Sequence, residues 1–97
     1  METEMETEME TAAEMLRTEL RDAAAKAAAN AEHAEMHACF CVDRAADTTC
    51  ASARRVAERR ALIATRHAAA WRQVLSAIIA LASHVDENAE KLVGGKP

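Results

Sequence analysis

Three residues at helical spacing carry the sharpest chemical signal in this chain. His33, His37 and Cys41 recur at i, i+4 and i+8. Residues four apart are neighbours on a helix surface, so His33 and His37 can chelate one transition metal. Cys41 lies two turns from His33, roughly 12 Å along the axis. One straight helix therefore cannot bring all three to a single ion, and a further ligand must come from elsewhere. His67, His84 and Cys50 are the candidates. Cys39 and Cys41 are two apart and point to nearly opposite sides of a helix, so Cys39-Phe40-Cys41 is not a zinc knuckle. The expected metal ligands are His33, His37, Cys39, Cys41 and Cys50, and the expected ion is copper or zinc.

Catalytic motifs are missing. There is no His-Glu-x-x-His, no glycine-rich phosphate loop and no Gly-x-Ser-x-Gly. No glutamate is followed three residues later by histidine, as a di-iron bundle requires. The reading is of a protein that is not an enzyme. Arg54, Arg55, Arg59, Arg60, Arg66 and Arg72 face a single acid, Glu58, within 54–72. With a net charge of −4 and no interleaved aromatics, these arginines suit acidic helices of the same molecule better than nucleic acid.

The elements that hold these residues must be helices. Gly and Pro are absent from Glu2 to Val93, and the chain is built of Ala, Leu, Glu, Arg and Met. A β protein would need turn residues throughout. The chain has 97 residues, enough for one domain, spanning 1–97. Its apolar half is mostly alanine, with one Trp, one Phe and no Tyr. So sparse a core favours association with further copies.

Met-Glu-Thr recurs at Met1, Met5 and Met9, and Thr11 with Glu14 has capping-box spacing. Helix is therefore expected to begin at Thr11, with 1–10 frayed and 94–97 a flexible tail. A first stripe runs Leu16, Leu20, Ala23, Ala27, Ala31 and Ala34. Met36 and Phe40 fall out of phase with it, which suggests a break near Asn30. A last stripe runs Trp71, Val74, Leu75, Ile78, Leu81, Val85, Ala89 and Leu92, with Gly94-Gly95 as its stop.

Two placements of the remaining turn compete. Turns near Asn30 and Ala64 give an all-α bundle of three antiparallel helices of similar length, the preferred reading. His67 would then lie at the opposite end from His33 and His37. A single turn at Asp47-Thr48-Thr49 gives a two-helix hairpin that dimerises into a four-helix bundle and brings His67 across from His33. In either case the 71–92 stripe is wider than one partner helix needs, so a homo-oligomer through it is expected. No stretch is long and apolar enough to span a bilayer, the longest being Val74 to Ala82, and no apolar run follows a basic start. A cytoplasmic setting with reduced thiols follows as the expectation.

Part of the chain resembles a known family. His33-Ala-Glu-Met-His37 before Cys39 is similar to the His-x-x-Met-His segment of the cysteine-rich four-helix-bundle copper-storage proteins. Cys39, Asp43, Cys50, Arg55, Val56 and Arg59 match that family's Cys…Asp…Cys…Arg-Val-x-x-Arg spacing. Val74, Ile78, Leu81 and Val85 stand at the spacing that family gives to cysteines. The resemblance implies a helical bundle that stores or buffers metal. The family's thiolates bind Cu(I), a soft ion, whereas this chain has three cysteines in all.

Overall fold

The computed structural model of the chain describes the backbone of residues 2–94 and the side chains of residues 11–88. Helix α1 runs Glu2–Asp47 and helix α2 runs Ala51–Gly94, and no strand occurs among the described residues. The all-α reading holds. The three-helix count does not, since neither Asn30 nor Ala64 interrupts a helix. The two-helix hairpin is the arrangement observed. Thr11 is likewise interior to α1 and does not start it. Side-chain order over 1–10 and the expected tail beyond Gly94 lie outside the described residues.

The turn forms where side chains compete with the backbone. Thr48 Oγ1 donates to the Arg44 carbonyl at 2.7 Å, and Thr48 N donates to the Ala45 carbonyl at 3.3 Å. These bonds tighten the last turn of α1. Cys50 then caps α2, because its carbonyl accepts the first bond of the new helix, from Arg54 N at 2.8 Å.

The chain forms two compact units, Lys26–Leu75 and Met1–Ala25 with Ser76–Pro97. Within Lys26–Leu75 the seam between the helices is alanine on both sides. Ala27, Ala31, Ala34, Ala38 and Ala45 are buried on α1, and Ala61, Ala64 and Ala68 on α2. Half-buried Cys41 fills the one gap on α1, and half-buried Ala57, Trp71 and Leu75 extend the seam on α2. The seam steps by alternate threes and fours, the repeat of a coiled coil. Alanine at those positions lets two backbones approach closely but contributes little hydrophobic free energy per residue. Arg72 closes this unit's edge, its Nε and Nη2 donating to both Glu35 oxygens at 2.7 and 2.6 Å.

In the other unit Leu20 is buried, and Ile78, Ala82 and Val85 are half-buried. Arg17 Nε lies 2.9 Å from Asp86 Oδ1, near enough for an ion pair although not aligned as a hydrogen bond.

The out-of-phase residues that suggested a break near Asn30 have a different cause. Met36 and Phe40 are 73% and 58% exposed and take no part in the seam. The seam follows the alanines, while much of the apolar bulk stays outside. The 71–92 stripe is divided in the same way. Trp71, Leu75, Ile78 and Val85 turn inward, whereas Val74, Ile79 and Leu81 are exposed. The side chains of Ala89 and Leu92 lie outside the described residues.

By length and composition, α2 also holds a window within Ala51–Asn88 apolar enough to cross a membrane. The expectation that no stretch qualifies is corrected here. That expectation counted unbroken apolar runs, and scattered alanines raise mean hydropathy across an isolated Arg72. Little of the window is buried, so the same composition gives α2 an apolar face open to a partner.

Candidate functional site

The seam's repeat fixes two flanks along the hairpin in Lys26–Leu75. On one flank His37, Phe40 and Arg44 of α1 meet Arg60, Ile63 and His67 of α2. Together with Cys41, Ala57 and Ala64 at the floor, they line an open groove of about 450 Å³. On the opposite flank Glu35, Cys39, Val42 and Asp43 meet Thr65 and Ala69 around a shallower groove of about 530 Å³.

The expected metal ligands are distributed among these features. Cys41 Sγ lies 3.6 Å from His37 Nε2, one turn apart in the first groove. His67 lines that same groove. The hairpin thus places it with His37, where three helices would have set it at the far end. The Trp71 indole N–H donates to His67 Nε2 at 3.2 Å and meets the imidazole edge-on, at 89° and 6.4 Å between centroids. His33 is exposed one turn before His37. Cys39 lines the opposite groove, as its two-residue offset from Cys41 requires. Cys50 sits in the turn, 3.4 Å from Ser52 Oγ. Among the described residues no three His, Cys, Asp or Glu side chains gather as a metal-holding group.

Charge separates the two grooves. The first is lined by Arg44 and Arg60 with no acid. The other basic residues of the arginine-rich stretch include two that are paired within the molecule. Arg54 binds Glu58 one turn on, and Arg72 binds Glu35 of α1. The second pairing is the intramolecular acid partner expected for these arginines. It holds the Glu35 carboxyl below the ordinary carboxylate range, chiefly through the hydrogen bond from Arg72, and raises Arg72 reciprocally. At the turn, the Cys50 thiol is lowered first by the Ser52 hydroxyl and then by the backbone N–H groups of Ala53 and Ser52.

Phe40, Arg44, Arg60 and Ile63 were not among the expected site residues. Their common flank becomes readable only once the alanines are assigned to the seam. Apolar bulk, the usual guide to a helix's inner face, points elsewhere in this chain. Compared with known protein families, curated proteins and solved structures, the chain matches none.

Proposed function

We infer that this protein is a non-enzymatic self-association module, a helical hairpin that pairs with a second copy as a four-helix bundle. The observation that carries this reading is the inversion of its apolar residues. Among the described residues the buried set is eight alanines and Leu20, while Phe40, Val56, Ile63, Val74 and Leu81 are 43–60% exposed. Light scattering coupled to gel filtration should return twice the chain mass of 10.5 kDa at micromolar concentration. A mass of one chain at all concentrations would overturn the reading.

A second reading rests on the His37–Cys41 contact, with His67 in the same groove. Imidazole and thiolate donors suit zinc or Cu(I), and the resemblance to copper-storage bundles favours the latter, while the three do not gather as a metal-holding group before an ion draws them together. Arg44 and Arg60 oppose it, because they place two positive charges around the same groove. Titration of the reduced apoprotein with Zn(II) and Cu(I), repeated on His37→Ala and His67→Ala, tests it. Either substitution should weaken binding tenfold or more, about 1.4 kcal/mol. Equal affinity in all three proteins would dismiss the site.

A further inference from the structure

The groove that carries Arg44 and Arg60 is built wholly within Lys26–Leu75, so all its parts belong to one compact unit. The alanine seam sets its shape. Ala57 and Ala64 form a low floor, and Phe40 of α1 and Ile63 of α2 flank it, around about 450 Å³. Grooves of this size accommodate small molecules. Arg44 and Arg60 stand at the end nearer the turn, and His37 and His67 lie two turns away, roughly 10 Å along the axis. The charge of the two arginines is uncompensated. The ion pairs among the described residues engage Arg17, Arg54 and Arg72, and neither Arg44 nor Arg60. The nearby acids do not answer them: Asp43 lines the opposite groove, Glu58 is held by Arg54, and Asp47 takes part in none of these pairs. Arg72 shows what such a guanidinium takes, since it donates to both oxygens of the Glu35 carboxylate. The two arginines that oppose a metal cation in this groove suit an anion instead.

We propose that this groove binds a single-chain amphiphile with a carboxylate head, the anion of a free long-chain carboxylic acid. Arg44 and Arg60 hold the head at the end nearer the turn. The alkyl tail lies on the floor of Ala57 and Ala64, between Phe40 and Ile63, and runs toward His37 and His67. Each part of the lining then has its match. The guanidinium forks donate to the carboxylate oxygens, and the tail removes apolar lining from water. A small inorganic anion would leave that lining wet, and a neutral hydrocarbon would leave the arginines without a partner. The tail covers the inner sides of Phe40 and Ile63 and leaves their outer edges open. The inference therefore adds a ligand to the hairpin and does not rest on self-association.

Calorimetric titration with laurate, kept below its micelle concentration, reads the affinity, and Trp71 supplies a second signal. It is the chain's one tryptophan, and its indole N–H donates to His67 of the lining. Laurate should bind once per chain, change the Trp71 emission and leave helix content by circular dichroism as it was. Octanoate should bind about tenfold more weakly, because fewer methylenes leave water. Dodecyltrimethylammonium, with the same tail and the opposite charge, should bind at least about tenfold more weakly than laurate. Arg44→Gln and Arg60→Gln should each weaken laurate by about three- to tenfold. Arg66→Gln, in the same arginine-rich stretch but outside both grooves, should stay within about twofold. Equal affinity for laurate and dodecyltrimethylammonium would mean apolar adsorption alone and overturns the proposal. So does laurate binding that is unchanged in the double Arg44→Gln, Arg60→Gln variant, or laurate that melts the helices as a detergent does. Capture of the chain by phosphatidylglycerol vesicles without binding of free laurate would make the partner a membrane surface and reject the groove ligand.

Discussion

Cys50 differs from the other two cysteines in its surroundings. It is exposed at the start of α2, where the Ser52 hydroxyl and two backbone N–H groups favour its thiolate. Cys39 is exposed on the side of α1, without such donors. At neutral pH Cys50 should therefore react with iodoacetamide several-fold faster than Cys39, and Ser52→Ala should remove most of that advantage. Peptide mapping of partly alkylated protein reads both rates, and equal labelling would refute the assignment. The Glu35–Arg72 pair makes a second prediction at this scale. A carboxyl lowered by folding contributes stability that is present above its unfolded value, about 4.3, and lost as pH falls through the lower folded value. Glu35→Gln should thus lower the melting temperature at pH 7, and the gap between the two proteins should narrow and close as acidification protonates Glu35. A gap that persists once Glu35 is protonated would mean the side chain acts through packing rather than charge.

At the scale of the helices, the sequence makes the class plain and hides the partition. The absence of Gly and Pro and the strength of the helix formers leave little besides α structure. The turn at Thr48–Cys50 was legible as a candidate, because Asp and Thr compete with backbone hydrogen bonds. It ranked second because three helices of similar length would pack without overhang, and because Met36 and Phe40, out of phase with the alanine stripe, suggested a break near Asn30. Their exposure shows why that inference failed: the seam of α1 is made of alanines, and Met36 and Phe40 lie outside it. The spacing singled out His33 with His37 as the pair, whereas His37 meets Cys41 one turn on. The place of His67 was not legible from spacing, since it depends wholly on where the chain turns. The seam predicts its own sensitivity. Ala31 is fully buried, and Ala31→Leu would add a branched side chain where the helices approach closely. It should cost about 1–3 kcal/mol, whereas Met36→Ala, on an outer face, should change stability by less than about 0.5 kcal/mol. Chemical denaturation of both variants measures the contrast, and equal costs would argue that the helices are not held at alanine-limited spacing.

For the whole molecule, stability and association should be a single quantity. An alanine seam and a few surface ion pairs give one hairpin little with which to offset the entropy of ordering 93 helical and turn residues. Phe40, Ile63, Val74 and Leu81 lie on exposed faces, where they are removed from water only when a second copy covers them. Unfolding should then run from folded dimer to two unfolded chains, without a stable folded monomer between. Mass action makes such a transition concentration-dependent. With an unfolding enthalpy of roughly 0.7 kcal/mol per residue over two chains, each tenfold dilution should lower the melting temperature by about 3–4 °C. Circular dichroism melts from about 1 to 100 μM would read a total shift of about 7 °C. Ile63→Asp, which disrupts the covered face, should lose most of its helix content and show no cooperative melt, because the seam alone does not sustain the fold. A natural chain whose melting temperature is unchanged over that hundredfold range would show that the hairpin stands alone, with its exposed apolar face contributing nothing to its stability.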